Sequence, residues 1–178
     1  GQPISPTPFY STTLGPPFNG GAPNQAIPTL NLSRVYVLTG PGTCSASEAI
    51  MNGLRGVGVE VIQIGSTTCG KPYGFYPQDN CGTTYFTIQF RGVNAMDFGD
   101  YTDGFSAANT PVNQAGTLVP WCAVADDYTK QLGDVTETRL SVALAYRDVA
   151  ACPAPSGSAP GVLGKPGAPL DATDGVVQ

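Results

Sequence analysis

Hydrophobic and polar positions divide this chain into a patterned middle and two unpatterned ends. Residues 34–39 (Arg-Val-Tyr-Val-Leu-Thr) are a β-rich run closed by Gly40-Pro41-Gly42, which predicts a buried strand stopped by a sharp turn. Directly after it, Ala49, Ile50 and Leu54 fall on one helical face, and Ser45 followed three residues later by Glu48 is a capping box. Gly56 and Gly58 end that helix. Residues 60–64 (Glu-Val-Ile-Gln-Ile) predict a second strand ending at Gly65. Strand, helix, strand at this spacing is a βαβ unit, hence parallel with a right-handed crossover. Residues 83–91 alternate Tyr85, Thr87 and Gln89 with Phe86, Ile88 and Phe90, which predicts a third, half-buried strand. Residues 94–120 read as a loop. The chain from Asp126 reads as helical, with Leu140, Ala143, Leu144 and Arg147 forming a packing stripe that runs on to Ala150. There is no internal repeat.

Composition sharpens the boundaries. Of 17 prolines in 178 residues, seven fall in residues 1–29 and five in residues 153–169. The expected organisation is a Pro/Gly-rich extended segment at 1–29, a folded core at 30–152 and a Pro/Gly/Ala-rich tail at 153–178. A core of that length buries one modest hydrophobic interior. Charged residues make up 12% of the chain, about half the usual share. Eight Lys and Arg against 13 Asp and Glu give a net charge of −5, so no basic stripe exists for nucleic acid or an anionic membrane. No apolar run approaches the roughly 20 residues of a membrane span, and no basic-then-apolar targeting pattern opens the chain.

Two residue types constrain the chemistry most. Histidine is absent, which rules out a Ser-His-Asp or Cys-His set, or a His-ligated metal, within this chain. The five cysteines allow at most two disulfides. Cys69 and Cys81 bracket a Gly/Pro/aromatic loop, and Cys122 and Cys152 bracket the last helical stretch, so these pairs are expected, with Cys44 free. Such links stabilise by roughly 3–4 kcal/mol each and point to an oxidising compartment, secreted or periplasmic. No two cysteines have zinc-site spacing, and the acids of DFGDYTDG do not fall at the alternate positions of an EF-hand, so neither a metal nor a cofactor is expected.

Ser45 stands out. A strand, a glycine-bracketed turn and a helix in direct succession lift the first helical hydroxyl above the sheet edge, where the amide of Ala46 can meet an oxyanion. The bland reading is a plain helix cap. The turn is not Gly-x-Ser-x-Gly, which argues against an α/β-hydrolase. Without histidine, a base must come from Lys, Glu or Asp. Of three lysines, Lys71 lies between Gly70 and Pro72, just past the second strand, and so emerges at the same sheet edge as Ser45. A lysine base must be neutral, which requires shielding from water; its bland reading is a solvated loop lysine. Cys44 as a thiol nucleophile lacks a histidine to activate it.

The segments VYVLTGPGTCSASEAIMNGLRG, VEVIQIGSTTCGKPYGFYP and TYFTIQFRGVNAMDFGDYTDGF resemble the C-terminal-processing (tail-specific) serine peptidases, a family related to the tricorn protease. The resemblance runs from about Leu32 to Phe105, or at its widest to Cys152. It implies an α/β, crotonase-like core of ββα repeats and cleavage of polypeptides through an acyl-enzyme. Ser45 would be the nucleophile, Lys71 the general base and the Ala46 amide one oxyanion donor. The chain departs from the family at Pro72, where Gly is usual, and at Phe75, where a polar residue often orients the lysine. The family's upstream Gly-Gly strand, source of the second oxyanion donor, has no counterpart, since Asn19-Gly20-Gly21 reads as a turn. The resemblance therefore implies the C-terminal half of a peptidase domain, either as a fragment or with a second chain supplying the rest. The alternative is a non-catalytic binding or structural module on the same fold, as in the retinoid-binding modules that the resemblance also covers. The loop with Asp100 and Asp103 is expected to border the cleft.

Overall fold

The computed structural model describes residues 9–17, 21–107 and 117–153. The chain divides into two units at Leu32/Ser33. In the first, residues 11–13 and 24–27 pair antiparallel around an isolated bridge between Thr12 and Ala26. Thr13 N–H donates to the Gln25 carbonyl at 2.8 Å, Ile27 N–H donates to the Ser11 carbonyl at 2.9 Å, and the Thr13 hydroxyl donates to the Ala22 carbonyl at 2.6 Å. This segment is thus folded back on itself rather than simply extended. Of the expected Asn19-Gly20-Gly21 turn, Asn19 and Gly20 lie outside the described residues, as does the tail from residue 154.

The second unit has mixed α and β structure. Strand β1 (Arg34–Thr39) leads through a turn into helix α1 (Ala46–Gly56) and then β2 (Glu60–Gly65). Short strands follow: β3 (Tyr73–Gly74), β4 (Gln78–Asn80), β5 (Thr83–Tyr85), β6 (Phe90–Arg91), β7 (Phe105–Ala107), β8 (Thr117–Val119) and β9 (Trp121–Ala123). Helix α2 (Thr138–Val149) comes last. The main sheet has the order β1-β2-β9 with both pairings parallel, Arg34 opposite Glu60 and Ile64 opposite Cys122. The expected βαβ unit forms.

Central strand β2 is buried from Val61 to Gly65, as suits a strand covered on both faces. Ile62 and Ile64 pack with Cys122, Val124, Val142 and Ala143, the last two from α2. On the opposite face Val61 packs with Met51 of α1 and with Tyr101, Phe105 and Val119. Gln63 sits within this run and is wholly buried, its amide donating to Thr39 Oγ1 (3.0 Å) and to the carbonyls of Ser66 (2.9 Å) and Phe105 (3.1 Å). Those three acceptors join the ends of β1, β2 and β7 at one edge of the sheet.

Three expected elements differ. Residues 83–91 are not one strand: β5 pairs with β4, and β6 with β3, in an arm whose faces are both open. Tyr85, Phe86 and Ile88 are more than half exposed, so the alternation has no core to cover. The arm turns at Cys81-Gly82, with φ of 48° and 79°, the mirror-image geometry of a two-residue hairpin. Helix does not begin at Asp126. Residues 126–137 are held in turns, with Asp127 Oδ1 accepting from Thr129 N–H (3.0 Å) and Asp134 Oδ1 from Thr136 N–H (2.8 Å). The Thr129 and Thr136 hydroxyls donate to the same two oxygens, and these bonds, with the amides after them, hold both carboxyls below the usual aspartate range. Helix α2 starts only where Glu137 caps it, its carboxylate accepting from the amides of Arg139 (3.0 Å) and Leu140 (2.8 Å). Finally, the expected loop 94–120 contains β7 and β8, a parallel pair. Among the described residues no helix is long and apolar enough to cross a membrane.

Replacing Ile64, which is fully buried, with Ala is expected to lower the unfolding free energy by about 2–5 kcal/mol. Ile88→Ala on the open arm is expected to change it by less than about 0.5 kcal/mol. Urea denaturation of both variants checks the assignment of core and arm.

Candidate active site

The turn between β1 and α1 is built from both of its ends. Thr43 N–H donates to the Gly40 carbonyl at 2.9 Å, and Gly40 N–H donates to Thr43 Oγ1 at 3.0 Å. Ser45 follows as the residue capping α1, exposed to solvent. A helix-capping residue is ordinarily extended. Ser45 instead has φ 52° and ψ −107°. Positive φ is costly for a residue with a side chain and persists only where the surroundings enforce it. A strained strand-to-helix turn is also how hydrolases of another fold expose a nucleophilic serine. Ala46 opens α1, and its amide belongs to the first turn, whose N–H groups have no partner within the helix.

The segment after β2 runs alongside this turn. Ser66 N–H donates to the Thr39 carbonyl at 3.1 Å, and Cys69 N–H donates to the Thr43 carbonyl at 3.0 Å. A disulfide joins Cys44 to Cys69, with Cα atoms 5.3 Å apart. The second disulfide is Cys122–Cys152, and Cys81 is free and exposed. The Cys122–Cys152 pair is as expected, but the expected Cys69–Cys81 pair and free Cys44 are overturned. The two-residue turn sends Cys81 to the tip of the arm, whereas the parallel register of β1 and β2 brings Cys44 and Cys69 to the same sheet edge. Cys44, being oxidised, is no candidate thiol nucleophile.

Glu48 ties the two segments together. Its side chain is wholly buried. Oε2 accepts from the backbone N–H groups of Ser45 (3.0 Å) and Lys71 (2.8 Å). Oε1 accepts from the Thr68 hydroxyl (2.6 Å) and the Gly70 N–H (2.7 Å). Two amides that meet on one oxygen lie within two hydrogen-bond lengths, so the backbones of Ser45 and Lys71 are neighbours. The structure thus brings Ser45, Ala46 and Lys71 to one edge, as two adjacent backbone segments, with the Lys71 side chain exposed.

A third segment backs the second. The Thr68 hydroxyl accepts from Phe105 N–H at 2.7 Å, and Thr68 N–H donates to the Phe105 carbonyl at 3.0 Å. Gly70 has φ 79°, and the Thr102 carbonyl oxygen lies where a Cβ on it would fall. The loop that carries Asp100 and Asp103 therefore runs directly against the Gly-Lys segment, with both aspartates exposed. Tyr101 is buried there, stacked on Phe105 with centroids 4.8 Å apart. Burial, and then the charge of Glu48, push its hydroxyl above the usual tyrosine range. The Arg55 guanidinium lies over the Phe98 and Phe105 rings at 5.6 and 5.4 Å, and burial lowers its affinity for its proton. Among the described residues no group of three or more His, Cys, Asp or Glu is placed to hold a metal ion.

The capping box of Ser45 and Glu48 forms as expected, but nothing in its spacing signals that Glu48 also holds Thr68, Gly70 and Lys71. Phe75, at the position expected to orient the lysine, stands on the open arm against Phe86. Compared with known protein families, curated proteins and solved structures, the chain matches none.

Two outcomes test this geometry. Non-reducing peptide mapping is expected to recover Cys44 joined to Cys69 and Cys122 joined to Cys152, with alkylation of Cys81 alone. If the Ser45 backbone is strained, Ser45→Gly is expected to be more stable than Ser45→Ala by about 1–2 kcal/mol in denaturant titrations, because glycine accepts positive φ.

Proposed function

We propose that this chain is the C-terminal half of a crotonase-like serine peptidase domain of the tail-specific type. It would cleave polypeptides with Ser45 as nucleophile and Lys71 as general base. The observation that carries this reading is the conformation of Ser45. A residue serving only as a helix cap is ordinarily extended, whereas Ser45 is at φ 52°, and a strained strand-to-helix turn is how hydrolases of another fold present a nucleophilic serine. The neighbouring Lys71 backbone, joined to Ser45 through Glu48, supports it.

In this mechanism Ser45 Oγ attacks the carbonyl carbon of a peptide bond while Lys71 Nζ takes the hydroxyl proton. The resulting oxyanion is met by the Ala46 amide. Collapse breaks the C–N bond, the proton passes from Lys71 to the leaving amine, and an acyl ester remains on Ser45. Water, deprotonated by the same amine, then releases the acid product. A lysine base needs shielding from water, and Lys71 is exposed in this chain. Shielding would come from the bound substrate or probe, and the other oxyanion donor, which assists peptide cleavage, from the rest of the domain, upstream in the same polypeptide or on a second chain. Two disulfides favour an extracytoplasmic setting, secreted or periplasmic.

The exposure of Lys71 favours a second reading, a non-catalytic binding or structural module on the same fold. A fluorophosphonate probe separates the two. The peptidase reading expects covalent labelling of Ser45 near pH 8, abolished in Ser45→Ala and slowed about 100-fold or more in Lys71→Ala. The binding-module reading expects no labelling in any of the three proteins. Hydrolysis of an unfolded protein substrate is expected to follow the same order.

A further inference from the structure

Among the described residues, Glu48 is the only charged side chain shut off from solvent. A buried carboxylate is strongly unfavourable unless its oxygens are fully hydrogen-bonded. An ionised carboxylate offers about four acceptor positions and no donor. Glu48 has one donor for each of them: Ser45 N–H, Thr68 Oγ1–H, Gly70 N–H and Lys71 N–H. A capping box calls for only the first of these. The other three come from the segment after β2, which the cap of α1 has no reason to recruit.

The division of donors between the two oxygens matters. Oε2 takes the amides of the two residues assigned to the chemistry, Ser45 and Lys71. Oε1 takes Thr68 and Gly70, and Thr68 is itself fixed by the amide of Phe105. One oxygen thus sets the separation of the nucleophile and base backbones, and the other anchors that oxygen to the core.

We infer that Glu48 is a positioning residue for the reaction, holding Ser45 in its unfavourable backbone geometry and in register with Lys71. This rests on the peptidase reading above. Glutamine in its place has one oxygen and an amide group that opposes N–H donors, so it leaves at least one of the buried donors without a partner. The pair then loses its fixed geometry while the surrounding core keeps its packing. Misplacement of reacting groups by about 1 Å is enough to slow a reaction about 100-fold.

The test is the kinetics of fluorophosphonate labelling of the full chain, with the maximal rate and the probe's half-saturation measured separately. Folding is checked by circular dichroism and disulfides by peptide mapping. Glu48→Gln is expected to lower the maximal rate about 100-fold while half-saturation stays within about threefold of wild type. Thr68→Val removes one anchor of Oε1 and leaves both Oε2 bonds, and is expected to lower the maximal rate about tenfold. A folded Glu48→Gln protein labelled at the wild-type maximal rate would overturn the inference, as would a loss confined to half-saturation. If Glu48→Gln does not fold, Thr68→Val decides: a slowed maximal rate supports the role and an unchanged one refutes it. An unlabelled wild-type chain would instead remove the peptidase reading itself, and this inference with it.

Discussion

A single buried carboxylate holds the candidate site at the sheet edge together. Taking the charge of Glu48 out of water is strongly unfavourable, and the structure offsets it with hydrogen bonds drawn from two segments about twenty residues apart in sequence. The arrangement works in both directions. The donors make the buried charge tolerable, and the charge makes the donors converge. Gly70 and Lys71 are where they are because their amides have a fixed acceptor. The disulfide between Cys44 and Cys69 repeats the same connection covalently, one residue before Ser45 and two before Lys71.

That edge stands on a small hydrophobic base. Strand β2 is buried on both faces, with α2 packed on Ile62 and Ile64 and α1 with the Phe105 region on Val61. Gln63 is the polar exception in the buried run of that strand. Its amide meets the ends of β1 and β2 and the start of β7, so the positions at which the first two stop and the third begins are set relative to one another. Loops that leave such a fixed edge need few further contacts to hold a precise geometry, and here they have Glu48, Thr68 and one disulfide.

Much of this was legible in the order of residues, and the parts that were not share a cause. β1, α1 and β2 announce themselves because each carries a hydrophobic period and a glycine or cap at its end, and these also place Ser45 and Lys71 at one edge. Glu48 reads as half of a capping box, since hydrogen bonds to residues twenty positions away leave no local trace. The Cys44–Cys69 link is hidden for the same reason. Loop spacing favours Cys69 with Cys81, and only the parallel pairing of β1 with β2 puts Cys44 beside Cys69. The alternation of residues 83–91 is a real β pattern spent on a two-stranded arm. The acidic stretch before α2 stays in turns because its aspartates bind local amides that a helix would otherwise use.

The arm between Pro72 and Gly92 closes on itself at its root, where Gly92 N–H donates to the Pro72 carbonyl at 2.9 Å. A segment whose two ends already meet can lengthen or shorten with little penalty, because the entropy of closing a loop grows only with the logarithm of its length. Its exposed aromatic residues bear little on the core. The arm starts at Pro72, one residue beyond Lys71, and yet is insulated from the bonds that fix Lys71's backbone. Selection can therefore rewrite the surface next to the candidate site without disturbing its geometry, which gives the fold a place to diversify while the backbone around Ser45 and Lys71 stays fixed.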